Sequence, residues 1–201
     1  MFLNYYKDTY FLTSMVNIKK KNLFKDGKEI AFLGYSNVGK SSVINILTDQ
    51  KFLSKTSKKP GTTRMINFFE ISPGYRLVDL PGYGYAKVSK KIKFDWNIDI
   101  NKYLLNSTSL IGLIIFMDIR YIIKELDKKF LNTLNKNKML LCIVLTKADK
   151  LSFNMIQKKI IFINKYLSIF RLKIDVIIFS SFKNIGINEL KKKINCWFTL
   201  N

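Results

Sequence analysis

Nine consecutive residues, Gly34-Tyr35-Ser36-Asn37-Val38-Gly39-Lys40-Ser41-Ser42, have types and spacing suited to holding phosphate. Gly34 and Gly39 enclose four residues and lead into Lys40 and Ser41. In that pattern a glycine-rich loop turns successive backbone N–H groups towards phosphate oxygens. The two glycines are read as permitting the backbone angles this needs. Lys40 would bridge the β- and γ-phosphates and the Ser41 hydroxyl would ligate Mg²⁺. A helix starting near Lys40 would add the partial positive charge of its N-terminus.

A metal beside a triphosphate needs further oxygen ligands. "RLVDLPG" supplies Asp79 at the end of an apolar run, where it would hold Mg²⁺ through water. Leu80 and Pro81 follow it, and the N–H of Gly82 would register the γ-phosphate. "KPGTTRMIN" offers the hydroxyls of Thr62 and Thr63, with Gly61, Arg64 and Met65 as further nucleotide contacts. Spacing alone leaves both threonines as candidates for the second metal contact. The base is addressed by "LTKAD", ending another apolar run with Thr146, Lys147, Ala148 and Asp149. A carboxylate can accept from guanine N1–H and the 2-amino group, whereas adenine would present an acceptor to it. Leaving such a group unpaired is penalised, with selectivity on the order of 10⁴. The Lys147 stem would cover one face of the base. "FSS" (Phe179, Ser180, Ser181) would bring backbone N–H groups to guanine O6. The expected ligands are GTP and GDP.

These groups must be carried to one place. Apolar runs of strand length, "EIAFLG", "INFFEI", "YRLVDL", "LIGLIIFMD", "MLLCIVLTK" and "KIDVIIFSS", predict six strands. Helical periodicity is read over Lys40–Leu47 and residues 96–106, 123–136, 152–168 and 187–198. Continuous β-branched runs indicate strands covered on both faces, and strand–helix alternation implies a doubly wound, mostly parallel α/β sheet. "SPGY" (Ser72 to Tyr75) predicts a tight turn joining two antiparallel neighbours. In such sheets ligands bind beyond the carboxyl ends of the strands, where the residues above fall. Residues 1–28 are read as an N-terminal extension and 29–201 as a single domain.

Composition narrows the chemistry. The 201 residues include no histidine, which excludes Ser–His and Cys–His nucleophile pairs and histidine metal sites. Cys142 and Cys196 sit in apolar patterns and are expected to be two buried thiols rather than a bridge or a metal site. No apolar run is long enough to span a bilayer, and the N-terminus lacks a secretory pattern; a cytoplasmic monomer with no membrane partner is expected. The formal net charge of +21 predicts attraction to polyanions such as RNA. Only four of the 35 basic residues are arginine, so the excess also matches the lysine bias of an AT-rich genome. The lysine runs Lys19–Lys21 and Lys191–Lys193 are candidate RNA contacts or solvated faces.

Over almost the whole chain, from "KDTYFLTS" to "CWF", the sequence resembles the EngB (YihA/YsxC-type) bacterial GTPases. The most specific stretches are "GYSNVGKSS", "SKKPGTTRMINFFEI", "LVDLPGYGYA", "MDIR", "LTKADKLS" and "FSSFK". The resemblance implies the three-layer P-loop GTPase fold, with helices on both faces of the sheet. It aligns the metal-contacting threonine with Thr63, giving Ser41 and Thr63 as metal ligands and Lys40, Thr63 and Gly82 as catalytic positions. The family often has arginine just before that threonine; here Thr62 stands there and Arg64 follows. The resemblance further implies GTP hydrolysis, a role in assembling the large ribosomal subunit (rRNA and proteins), and a need for the protein in division and septation. A septation-linked structural protein and a tRNA-directed GTPase of related fold are the competing readings.

In Ras-like proteins a glutamine after the DxxG motif orients the attacking water; here Tyr83 follows Gly82. Slow intrinsic turnover is therefore expected. Tyr83 and Tyr85, flanked by Gly82 and Gly84, read as a mobile switch. Asn37 is a candidate ligand for K⁺ beside the phosphates.

Overall fold

The computed structural model describes residues 2–16, 24–54, 65–84, 100–134, 139–170 and 174–200. Its strands are β1 (Tyr10–Met15), β2 (Lys28–Gly34), β3 (Ile66–Ser72), β4 (Tyr75–Asp79), β5 (Leu110–Asp118), β6 (Leu140–Thr146) and β7 (Ile174–Ile178). The helices are α1 (Lys40–Thr48), α2 over residues 100–106, α3 (Glu125–Leu134), α4 (Phe153–Leu167) and α5 (Ile187–Thr199). Strand order is β1-β3-β4-β2-β5-β6-β7. The pairs from β4 through β7 are parallel, whereas β1–β3 and β3–β4 are antiparallel. The Ser72–Tyr75 turn closes the β3–β4 hairpin, as "SPGY" predicts.

Alternation along the central strands divides the core into two layers, because successive side chains leave opposite faces of a strand. On β2, Ala31 and Leu33 face a cluster with Ile100 and Tyr103 of α2, Leu131 of α3 and Ile163 of α4. Ile30 and Phe32 face the other side, against Val43 and Leu47 of α1 and Leu190, Ile194 and Trp197 of α5. The result is helix–sheet–helix, with α1 and α5 on one face and α2, α3 and α4 on the other. Every parallel strand then points its carboxyl end to the same edge. Both cysteines are expected to be buried thiols; Cys142 is buried, but Cys196 is exposed.

Among the described residues the sheet has seven strands where six are expected. The extra one, β1, lies within the 1–28 stretch read as an extension and pairs along the outer edge of β3. Its signal is weak because an edge strand is only half covered: Tyr10 and Phe11 are 51% and 50% exposed. Ahead of it, Tyr6 is buried and donates to Asn195 Oδ1 of α5 at 2.9 Å.

At the amino ends of the strands, Glu29 of β2 lies beside Arg76 of β4 in parallel register. Both are buried, and Arg76 Nε reaches Glu29 Oε1 at 3.2 Å. Tyr103 Oη and Ser107 Oγ donate to Glu29 Oε2 at 2.8 and 3.1 Å, and Arg76 stacks over Phe24 at 4.1 Å. Burial pushes the Glu29 carboxyl up, while Tyr103, Arg76 and Ser107 pull it back. Breaking a buried pair by removing one partner strands the other charge. Arg76→Ala should therefore cost about 3–5 kcal/mol in urea unfolding. The loss should grow as pH rises, because the stranded carboxyl, raised in the folded state, is then forced to ionise.

Candidate functional site

The loop between β2 and α1 is shaped by two different demands on its glycines. Gly39 has φ 107°, a left-handed value that side chains rarely adopt, and it caps α1. Gly34 does not need unusual angles. A Cβ there would lie 2.6 Å from the Phe116 carbonyl oxygen, so its requirement is close approach of β5. This corrects the common reading of both glycines as angle-permitting. Asn37, with φ 60°, supplies the remaining left-handed turn, which asparagine tolerates.

β6 holds this loop from behind. Thr146 Oγ1 donates to Val38 O at 2.8 Å and to Met117 O at 3.2 Å. Lys147 Nζ donates to Asn37 O at 2.9 Å and lies 3.0 Å from Asp118 Oδ2. The ammonium is thus committed to the loop, which leaves the aliphatic stem as the part able to cover a base. Asp118, at the end of β5, also takes a two-pronged contact from Arg120 at 2.9 and 2.7 Å. Partial burial pushes the Asp118 carboxyl up, but the bonds from Arg120 and Lys147 outweigh it and hold it down at about 2. Sequence reasoning assigned Asp118 no role. Its signal was the acidic end of "LIGLIIFMD", the same position on β5 that Asp79 has on β4.

The segment after β4 docks on the loop from the side. Leu80 N donates to Phe32 O at 3.0 Å, Tyr83 N to Gly34 O at 3.1 Å, and Ser36 N to Tyr83 O at 2.8 Å. Leu80, Pro81 and Gly82 are all buried there. Asp79 and Lys40 face each other with Nζ–Oδ1 at 3.9 Å, a distance too long for a hydrogen bond. Burial pushes Lys40 down and Asp79 up, and their opposite charges work against both shifts. Two buried oxygens here, Asp79 Oδ1 and Ser36 Oγ, have no hydrogen-bond partner among the described residues. A buried polar atom left so costs about 1–3 kcal/mol, unless something absent from the chain completes it. Ser41 is half-buried in the first turn of α1.

Tyr83, read from its glycine neighbours as part of a mobile switch, is held in the core in this structure. It is 2% exposed, stacked against Tyr35 and Phe130, and it donates to Asp127 Oδ1 of α3 at 2.5 Å. Asp127 is itself buried and also accepts from Lys124 N at 2.8 Å. Nothing near Asp127 in the sequence marks it as the partner; it reads as an ordinary first-turn helix acid.

On the far side of Lys147, Asp149 follows β6. Its side chain is 7% exposed, and Oδ1 accepts from Ser180 Oγ at 2.6 Å. That bond holds the Asp149 carboxyl below its usual range. Ala148 N donates to Phe179 O at 3.1 Å, which ties the two strand ends together; Ser181 lies exposed in the turn that follows. Among the expected contacts, Met65 is exposed at the start of β3. Gly61, Thr62, Thr63, Arg64 and Tyr85 lie outside the described residues, as do Lys19–Lys21. The described contacts from Gly34 through Ser41, from Asp79 through Gly82, Thr146 through Asp149, and Phe179 through Ser181 gather at the carboxyl edge of the sheet.

The sequence profile of a family described as "50S ribosome-binding GTPase" matches residues 29–147. A probable GTP-binding protein EngB of Buchnera aphidicola subsp. Schizaphis graminum is 48% identical over 198 residues, covering 98% of this chain and 96% of that protein. Among solved structures, that of a probable GTP-binding protein EngB superposes with TM-score 0.67 at 24% identity, over 85% of this chain and 98% of that one. Era, in complex with MgGDPNP and a segment of 16S ribosomal RNA, superposes with TM-score 0.67 at 22% identity, over 87% of this chain and 57% of that one. At those identities the two structures speak for the fold, which is that of P-loop GTPases. Family and fold together make this a GTPase-type protein that binds guanine nucleotides, and the chain belongs to the EngB family of GTP-binding proteins.

Proposed function

We propose that this protein is a magnesium-dependent GTP switch whose GTP state docks on the large ribosomal subunit or its precursor, with slow hydrolysis as the release step. The observation that carries the nucleotide site is the incomplete pair of Lys40 and Asp79, at the mouth of a loop whose Asn37 and Val38 carbonyls are already bonded from behind. A phosphate would complete the ammonium, and a hydrated Mg²⁺ would complete Asp79 Oδ1. Ser41 and Thr63 would ligate that ion, which supplies charge neutralisation across the β- and γ-oxygens when bound. Lys40 and the Gly82 N–H would hold the γ-phosphate. Asp149, oriented by Ser180, would accept from guanine N1–H and its amino group. Asp149→Asn should lower GDP affinity on the order of 10²-fold or more and move preference towards xanthosine diphosphate, measured by equilibrium titration of both nucleotides. An unchanged preference would place the base elsewhere.

Slow turnover is supported by Tyr83. Its hydroxyl is engaged by Asp127 in the core, so it is not available to orient a water. A potassium ion beside Asn37 would supply charge that the chain does not. Single-turnover hydrolysis should then run about tenfold or more faster in KCl than in NaCl at matched ionic strength. Equal rates would remove the ion from the mechanism.

The ribosomal partner is supported by the family description and by the charge of +21, which favours an RNA-rich surface. Normal division and septation would follow from adequate ribosome supply. Large-subunit particles sedimented through sucrose should carry the protein down with a non-hydrolysable GTP analogue and leave it in solution with GDP. Failure to co-sediment in either state would overturn the ribosomal reading.

A further inference from the structure

Three exposed rings stand at the carboxyl edge of the sheet, and no step proposed above uses them. Tyr121, just after β5, is 60% exposed; Phe153, at the start of α4, is 73% exposed; Phe182, after β7, is 83% exposed. One exposed ring is ordinary on a protein surface, and so is one lysine in a chain this rich in lysine. Here the two are paired. The Arg120 guanidinium stands 5.3 Å from the centre of the Tyr121 ring, and the Lys124 ammonium 5.5 Å from it. Lys150 Nζ lies 6.0 Å from the centre of the Phe182 ring. Both groups lie on one rim. Lys159 of α4 donates to Arg120 O at 3.2 Å, and Lys150 Nζ is 3.3 Å from Asp149 Oδ2. Arg120 is held charged chiefly by Asp118 and, to a smaller extent, by Asp149 itself. Asp118, Glu125 and Asp149 each have a cation within 3.3 Å, while Lys124, Lys159 and Lys183 add further positive charge.

An exposed ring with a cation beside it suits an unpaired base, which stacks on the ring while the cation meets its phosphate. An apolar protein partner would favour one contiguous patch, whereas these rings alternate with charged side chains. We propose that this rim is an RNA-docking surface, on which Tyr121 and Phe182 each stack an unpaired base while Arg120, Lys124 and Lys150 meet the adjoining phosphates. The assignment rests on the ribosomal reading above and deepens it in two respects. It specifies the face of the molecule that meets RNA. It also specifies the form of that RNA: single-stranded loops or bulges, since the bases of a duplex are already stacked on one another. Lysines elsewhere on the surface would add attraction without choosing between strand forms. Tyr121 and Phe182 are not among the groups that would hold the nucleotide, so the rings can be altered separately from that site.

The test compares two double variants of the full chain with the unaltered protein, all with Mg²⁺ and a non-hydrolysable GTP analogue at one fixed salt concentration. Tyr121→Leu with Phe182→Leu removes the rings and keeps apolar side chains; Tyr121→Phe with Phe182→Tyr keeps the rings. Affinity for a short labelled single-stranded RNA is read by fluorescence anisotropy, and large-subunit binding by sedimentation. The leucine variant should lose about thirtyfold or more in RNA affinity, the scale of two stacked bases, and should leave the subunit pellet. The ring-keeping variant should stay within about threefold of the unaltered protein, and both should bind GDP within about twofold of it. Equal RNA binding by the leucine and ring-keeping variants overturns the proposal. A matching loss of GDP affinity also overturns it, since the rings would then belong to the nucleotide site. If the unaltered protein sediments with the subunit but does not bind the single-stranded RNA, the RNA surface fails and the ribosomal reading stands. If it binds the RNA through these rings but not the subunit, the surface stands and the ribosomal reading fails.

Discussion

A loop that turns its N–H groups towards a ligand must turn its carbonyl groups somewhere else, and those carbonyls need donors. Here Thr146 supplies one to Val38 and Lys147 supplies one to Asn37. The loop proposed to hold phosphate and the strand end proposed to meet the base are therefore one construction. The residues that would flank a guanine also hold the cradle for its phosphates. Asp118 extends the arrangement, because it fixes the ammonium that fixes Asn37, and Arg120 fixes Asp118 in turn. The Asn37 and Val38 carbonyls are thus held from behind, while the Ser36 and Val38 N–H groups bond to Tyr83 O and Tyr35 O.

The two ends of the parallel sheet treat buried charge in opposite ways. At the amino edge, Glu29 and Arg76 meet in parallel register, and Tyr103, Ser107 and the Asp26 carbonyl satisfy what the pair leaves over. Such a pair contributes order rather than chemistry. At the carboxyl edge, Lys40 and Asp79 are somewhat less buried and stand 3.9 Å apart, with one carboxylate oxygen unbonded. The completed pair is a structural centre, and the incomplete one lies where the nucleotide site is proposed.

Most of the fold was legible because the central strands are covered on both faces and read as unbroken apolar runs. The starts and ends of α1, α4 and α5 fall within a residue or two of the periodicity. β1 was not legible, since an edge strand with exposed Tyr10 and Phe11 has no such run. The site was legible where local motif and strand end coincide, as at Lys40, Asp79 and Asp149. It was not legible where a residue acts across the fold. Asp127 meets Tyr83 across 44 positions, and no spacing rule connects them. Tyr83 was misjudged for the same reason, since glycine neighbours suggest freedom but the ring has a socket made by Tyr35 and Phe130. Gly34 shows the remaining gap: the neighbour that requires it is Phe116 O, which only tertiary structure supplies.

The placement of the N-terminal strand has a consequence for the order in which the molecule is made. β1 emerges from the ribosome first, yet its partner β3 begins at Ile66, and the Tyr6 ring that precedes it waits for Asn195. Contacts of such long range close late, because the loop entropy must be met before the pairing returns anything. Tyr10 and Phe11 therefore have no strand to lie against until β3 is made, and β3 arrives just ahead of β4, with which it forms a hairpin. The contact between Tyr6 and Asn195 is the last of these to form, since it waits for α5.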